Sequence, residues 1–307
     1  MSGRGYSMEI KNRMHLCLIL SGTILMVALI MTLTGHGFNT GIDFTGGILI
    51  RYEIGQDFII GDISKAISQA GYKGVPQISK AGSNQTEVQI RIKDVNDFPA
   101  FRDTLDSILR TQYPGFTDLA ADPVGAVAGR SWVLNAIGGV LLAAGLMLIY
   151  IIFRFNLFSG LAAIIGLVHD ILLMCSFTVL FRSFIQVNTP FIAVCLTLVG
   201  YSMINSIVLF DRIRENIRKA GNKSHSREEI ANQSIRETLG RMSSTTATML
   251  IIIISLYILG VGSIREFTLP LFIGICASVY STILINGYVW AWLAEVGKNW
   301  KLRPKKA

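Results

Sequence analysis

Residues 159–181 read SGLAAIIGLVHDILLMCSFTVLF, and the fold turns on them. The run is long enough to cross a bilayer, which takes about 20 apolar residues. Its one acidic residue, Asp170, lies eleven positions from either end, so near the bilayer midplane. A carboxylate there costs about 2.5–3.5 kcal/mol on insertion scales. It must face a bundle interior, pair, or carry a proton. Two roles are open at this level: a proton relay or gate, and a hydrogen bond to Thr or Ser of a neighbouring helix. His169 precedes it, but successive helical residues point about 100° apart. No second ligand sits at metal-binding spacing on the same helix, which counts against a metal hydrolase.

Five further apolar runs surround this one, at about 14–33, 132–153, 190–210, 245–260 and 269–293. All carry Gly, Ser or Thr, as packed membrane helices do. The first follows a basic segment and exceeds the roughly 7–15 residue core of a signal peptide, so a retained anchor is expected. The expected order is an N-terminal segment with helix one (1–35), a polar lobe (36–130), a five-helix bundle (131–294) with a loop at 211–243, and a basic tail (295–307). The fold class is thus an α-helical polytopic membrane protein of six transmembrane helices with one small α+β domain between the first and second.

Composition agrees. Of 307 residues, 51% are hydrophobic and 16% charged, against about 25% charged in soluble domains, and mean hydropathy is +0.50. A disordered chain is excluded, and the composition argues against an ordinary cytosolic enzyme. The net charge of +8 is not an imprint of nucleic acid, because its placement is topological. Eight Lys/Arg fall in 211–241 and five in the tail, whereas the lobe has nine Lys/Arg against eleven Asp/Glu. The positive-inside rule then puts both termini in the cytoplasm and the lobe outside it. Cys17, Cys175, Cys195 and Cys276 all lie in apolar runs and read as small core residues.

The lobe offers strands at 48–54, 75–79 and 87–93, helices at 61–70 and 98–109, and a last strand near 116–120. That order, β-α-β-β-α-β, is ferredoxin-like. VQIRIK (88–93) alternates as a half-buried strand should, and Phe101, Leu105, Ile108 and Leu109 share a helix face. No metal cluster, nucleophile elbow or phosphate loop is found, so no metal and no cofactor are expected.

Thr197, Tyr201 and Asn205 recur at i, i+4, i+8 on the fourth run, with Ser202 and Ser206 adjoining. A polar stripe of this kind marks a buried seam or a hydrated path. Small-polar helix packing, worth about 0.6 kcal/mol per contact, is the other reading, and the spacing alone favours it. Asp211, Arg212, Arg214 and Glu215 follow as a charged helix end. Arg241 either snorkels to headgroups or reaches inward as a counter-ion. Gly139/Ala143 and Gly274/Ser278 have the spacing of close helix contacts.

Together the motifs resemble the SecD/SecF family of the bacterial Sec translocase. FNTGIDFTGG (38–47), with Asp43, Phe44, Thr45, Gly46 and Gly47, is similar to the family's opening signature. PVGAVAG (123–129), FRF (153–155), HD (169–170), GYSMINSIVLFDRIREN (200–216), with Gly200, Tyr201 and Ser202, and NQSIRETLGRMSSTTATML (232–250) follow in the family's order. The short lobe resembles the SecF branch.

The resemblance implies half of an RND-type transporter that pairs with SecD. That unit joins the SecYEG channel, with YajC and indirectly SecA, in the inner membrane. It implies use of the ion gradient to move preprotein, and no enzymatic activity. It also points to Asp170, Asp211, Arg241 and the position of Asn205 as relay candidates. The family usually reads GYSxNDT where this chain has Met203, Ile204, Asn205 and Ser206, so its acid is replaced by an amide; Ala126 stands for a usual Pro. Three explanations are open: SecD carries the titrating acid alone, Asp170 has taken over, or this chain is structural. A small-molecule or lipid transporter subunit is the alternative function. Against it, a lobe of this size leaves little room for a substrate tunnel.

Overall fold

The computed structural model describes residues 4–74, 76–82, 84–93, 95, 97–124, 126–220, 226–260 and 262–301. Helix α1 (Arg4–Leu33) leads through a short α2 (Ile42–Thr45) into β1 (Gly47–Glu53), α3 (Ile60–Gln69), β2 (Gln77–Ala81), β3 (Glu87–Ile92), α4 (Phe98–Gln112) and β4 (Thr117–Val124). Then come α5 (Ala126–Arg154), α6 (Leu157–Leu180), α7 (Pro190–Ala220), α8 (Arg227–Leu259), α9 (Gly262–Ser281), a π-helical turn (Thr282–Asn286) and α10 (Gly287–Lys301).

Among the described residues, six helical stretches are long and apolar enough to cross a membrane. They are not equivalent. Half of the apolar window of α6 and of α7 is buried within the chain, against 6% for α5. α6, α7 and α9–α10 therefore form the inner bundle, while α5 turns Leu134, Leu141, Leu142 and Leu146 outward. Such a face meets lipid or a partner.

In the lobe, β1 and β3 bury alternate residues because successive side chains point to opposite faces. The sheet order is β2-β3-β1-β4 and each neighbouring pair is antiparallel. Ile50, Tyr52 and Ile90 pack on Ile63 and Ile67 of α3 and on Phe101, Leu105 and Leu109 of α4. The Tyr52 hydroxyl donates to Asp106 at 2.6 Å. Burial, helped by that carboxylate, pushes its pKa far above the ordinary tyrosine value. Leu105 is fully buried, so Leu105→Ala should cost about 2–5 kcal/mol. The loss should appear as faster hydrogen exchange across β1 and β3 of the solubilised chain. Unchanged exchange would mean that α4 does not hold the sheet.

Several boundaries differ from the sequence reading. The strand expected at 75–79 is displaced to 77–81, and residue 75 lies outside the described residues. α5 begins at Ala126, so 126–130 are helical. The supposed loop at 211–243 is helical on both sides of 221–225, which lie outside the described residues. Glu215 pairs with Arg212 at i−3 and with Lys219 at i+4, which prolongs α7. A capping box between Ser226 and Glu229 starts α8 well before its apolar half. α10 likewise runs on to Lys301, so 295–301 of the expected tail are helical, and 302–307 lie outside the described residues. Among the cysteines, Cys175 and Cys195 are half-buried against the core around Met174, Val194 and Leu198, whereas Cys17 is half-buried and Cys276 is exposed on its helix.

Candidate functional site

The polar side chains of α7 converge with those of three neighbours at mid-bundle. Asp170 on α6 is fully buried, and its Oδ2 accepts from Ser202 Oγ at 2.7 Å. Its Oδ1 stands 3.5 Å from His169 Nδ1, and the imidazole stacks on Tyr280 of α9 with centroids 6.0 Å apart. Tyr280 in turn donates to the Cys17 carbonyl of α1 at 2.5 Å.

One helical position along, Tyr201 shares a hydrogen bond of 2.8 Å with Thr246 of α8. Asn205 Nδ2 donates to Ser278 Oγ of α9 at 3.2 Å, and Asn286 Nδ2 donates to Ser206 Oγ at 3.1 Å. Within this seam, α7 is thus tied to α6, α8, α9 and the π turn by one bond each. All of these residues are buried, where an unmet polar group would be costly.

The π turn has a role in this. A π-helical turn shifts the register of a helix and is frequent at functional sites. Here it brings Thr282, Ile285 and Asn286 inward together. Gly166, one turn before Asp170, leaves the room that Asn286 occupies; a Cβ there would overlap its amide.

The sequence-derived candidates therefore divide. Asp170, Ser202, Tyr201 and Asn205 meet in the seam. Thr197 does not: it is exposed and bonds back to the Ala193 carbonyl at 2.7 Å, because i+8 drifts off the buried face by about 80°. Gly200 is half-buried with nothing near it. Arg241 is exposed on α8 and is no inward counter-ion to Asp170. Of the small pairs, Gly274 packs closely on Leu198 and Met174, whereas Gly139 meets nothing. Thr246, Ser278 and Asn286 complete the seam. Ser278 was marked in the sequence by its spacing from Gly274, whereas Thr246 and Asn286 showed only polarity inside an apolar run.

The charged helix end forms a separate cluster at the end of the bundle away from the lobe. Arg212 bridges Glu215 and Glu237, both at 2.5 Å, and Asn216 donates to Glu237 at 2.7 Å. Asp211 lies 3.7 Å from Arg154, whose carbonyl accepts from Arg214 at 3.3 Å. The cluster fastens α5, α7 and α8 together, and nothing in it contacts Asp170.

The GIDFTGG stretch occupies the opposite end. Asp43 Oδ2 accepts from Thr189 N at 2.9 Å and Thr189 Oγ1 at 2.8 Å, immediately before α7. Thr40 bridges Val187 in parallel, Gly41 N donates to the Val187 carbonyl and Val187 N to the Asn39 carbonyl. Thr45 Oγ1 donates to the Gly41 and Gly46 carbonyls, while Phe44 is half-buried. Gly46 has φ of 77°, a left-handed conformation open to Gly at little cost. At Gly47 a Cβ would run into the Ile92 carbonyl. The motif is a clasp between the base of the lobe and the start of α7.

Chemically, amide and hydroxyl pairs hold a bundle together without storing charge. Asp170, with His169 beside it, is the carboxylate in a seam otherwise closed by hydroxyl and amide bonds. Among the described residues no group of three or more His, Cys, Asp or Glu side chains is placed to bind a metal.

The likeness to known proteins runs along most of the chain. A family model described as "Protein export membrane protein SecD/SecF, C-terminal" matches residues 104–296. Protein translocase subunit SecF of Thermobaculum terrenum is 31% identical over 285 residues, covering 88% of this chain and 87% of that one. SecF of Rickettsia bellii is 34% identical over 254 residues, 82% of each. A crystal structure of SecDF from Thermus thermophilus matches with a TM-score of 0.70 at 28% identity, over 97% of this chain and 39% of that one. The chain thus spans about two-fifths of SecDF and nearly all of a SecF. On the family model and these relatives alike, this multi-pass chain belongs to the SecD/SecF family of protein export membrane proteins.

Proposed function

We propose that the chain is an accessory subunit of the Sec preprotein translocase, the SecF-like half of a unit completed by SecD. It contacts the SecYEG channel, with YajC nearby and SecA acting indirectly, and lends the ion gradient to export. It is not an enzyme, and the observation that carries the reading is a buried carboxylate in an otherwise neutral seam. One charge crossing the membrane releases about 2.3 kcal/mol per 100 mV. Work can be drawn from that only if a protein group takes and returns the charge. Asp170 does so in this chain, passing its proton by way of His169, and Asn205 is a fixed neutral link. The basic ends of α7 and α8 face the cytoplasm, the lobe faces the envelope space, and the lobe is a ferredoxin-like module.

The outward apolar face of α5, and that of α1, where Leu16, Ile19 and Leu33 are exposed, support pairing with a second helical half. Relatives named as SecF support export over small-molecule or lipid transport. The test is co-reconstitution of this chain with SecD and SecYEG in proteoliposomes, with SecA and ATP outside. Preprotein export should rise when an ion gradient is imposed, and only when this chain is present. A gradient response that is the same without it would remove the accessory role.

A further inference from the structure

The side chains of Asp170 and Asn286 are placed one helical turn apart by two scaffolds at once. On α6, Gly166 precedes Asp170 by four residues, a spacing that makes neighbours of them at about 5–6 Å. Helical side chains lean back toward the N-terminus, so the Asp170 carboxyl tilts over Gly166. The Asn286 amide fills the space that Gly166 leaves, where a Cβ would overlap Asn286 Oδ1. On α7, Ser202 donates to Asp170, and Ser206, four residues on, accepts from Asn286. The two bonds are adjacent rungs, with Asn286 on the side away from the lobe.

The two ends of the Asn286 amide differ. Nδ2 donates to Ser206 Oγ at 3.1 Å. Oδ1 has no hydrogen-bond partner, although the residue is fully buried. A buried acceptor left unpaired is costly. An ionised carboxylate beside it offers only further lone pairs. A proton on the carboxyl resolves the mismatch, because its O–H is a donor and Asn286 Oδ1 is the unmet acceptor one turn away. Two other acceptors fit less well. Ser202 Oγ is committed as a donor to Oδ2, and His169 Nδ1 stands at 3.5 Å, the outer limit of bonding.

We propose that Asn286 Oδ1 is the hydrogen-bond acceptor for the protonated carboxyl of Asp170, aimed there by the π turn and by the gap at Gly166. The ionised carboxylate is held by Ser202, and the neutral acid by Ser202 and Asn286 together. When the proton leaves by way of His169, Oδ1 is unmet again, and no covalent bond but the O–H breaks. The inference rests on the reading of Asp170 as the group that takes and returns the charge. α1, α5, α7, α9, α10 and the π turn pack on α6. Near Asp170 the titratable groups they bring are Tyr280 of α9, stacked on His169, Tyr201 of α7, bonded to Thr246, and Cys17 of α1, whose carbonyl meets Tyr280. Cys175 of α6 and Cys195 of α7 lie in the apolar cluster around Met174. Arg154 of α5 faces Asp211, and Tyr288 of α10 donates to Asn232.

The test is infrared difference spectroscopy of the full chain in lipid nanodiscs, between high and low pH, with aspartate isotope-labelled at the side-chain carboxyl carbon. The acid C=O band that is missing from Asp170→Asn belongs to Asp170. Asn286→Ala should move that band to higher wavenumber, as loss of an acceptor for the O–H does. Gly166→Ala, whose methyl displaces the amide without altering it, should move it the same way. Ser206→Ala removes only the amide's other bond and should leave the band in place. A band untouched by Asn286→Ala and Gly166→Ala overturns the inference and leaves the relay standing, whereas a spectrum with no Asp170 acid band at any pH overturns both. A shift equally large in Ser206→Ala would make the effect one of packing. A shift confined to the carboxylate bands would mean that the amide is turned about and donates to the ionised form. A shift in His169→Gln alone would give the acceptor role to the imidazole. Each of these three overturns the inference as well.

Discussion

Asp170→Asn should abolish the gradient-dependent part of export and the accompanying proton flux, while the protein folds at least as well as before. The two halves of that expectation have separate causes. Asparagine keeps the shape of aspartate and still offers Ser202 an oxygen acceptor in place of Oδ2. It also removes a group whose burial at mid-membrane costs about 2.5–3.5 kcal/mol, so the thermal midpoint in detergent should stay level or rise. What is lost is the titrating group, since every other bond of the seam joins hydroxyls and amides. Asp170→Leu is the contrast. It leaves the Ser202 hydroxyl buried without its acceptor, at about 1–3 kcal/mol, and should lower both stability and flux. Stopped-flow measurement of lumenal pH in proteoliposomes with SecD separates the cases. Full flux in a well-folded Asp170→Asn protein would leave this chain no coupling role and put the titrating acid in SecD alone.

Much of this was legible in the sequence because the bilayer imposes a coarse rule. A run of some 20 apolar residues around one acid is hard to read otherwise, and the six helices and the buried Asp170 followed from counting. The lobe's elements were readable for a related reason, since half-buried strands alternate and VQIRIK does so. Helix ends were less accessible. α7 and α8 continue through Arg212, Glu215 and Glu237, where hydropathy falls to nothing, because i, i+3 and i, i+4 ion pairs and a capping box sustain a helix in water. Hydropathy does not register that support.

Which polar residues would meet was legible only in part. Tyr201 and Asn205 lie on one face of α7, but their partners Thr246 and Ser278 come from helices whose rotation is set by packing. Asn286 reaches Ser206 only because the chain makes a π turn at 282–286, and nothing in TILIN announces one. The fate of Arg241 was similarly hidden. Its place in the sequence permitted an inward or an outward side chain, and the rotation of α8 turned it out.

Gly41→Ala should uncouple the lobe from the bundle without unfolding either. The backbone at Gly41 has φ of −76° and ψ of 175°, which any residue adopts, so alanine brings no backbone strain. The obstacle is space. A Cβ at position 41 would overlap the side-chain oxygen of Asn188, which is 2% exposed and cannot swing away freely. Overpacking of this kind costs about 1–3 kcal/mol, and here it falls on one strip of contacts. These are the Thr40–Val187 bridge, the Gly41 and Val187 amides, and Asp43 on Thr189. Asp43 supplies a carboxylate at the start of α7, where the helix dipole favours one, and α7 carries Tyr201, Ser202 and Asn205 into the seam. A lobe that moves relative to the bundle can therefore pull on the seam through this clasp. The expected result is fast hydrogen exchange at residues 41 and 187, unchanged exchange in β1 and β3, and a collapse of gradient-dependent export with SecD. Because the clash is with one side chain, Asn188→Gly in the same protein should restore the clasp and most of the export. Export that persists in Gly41→Ala with the 41 and 187 amides exchanging freely would show that the lobe does its work without being held to α7.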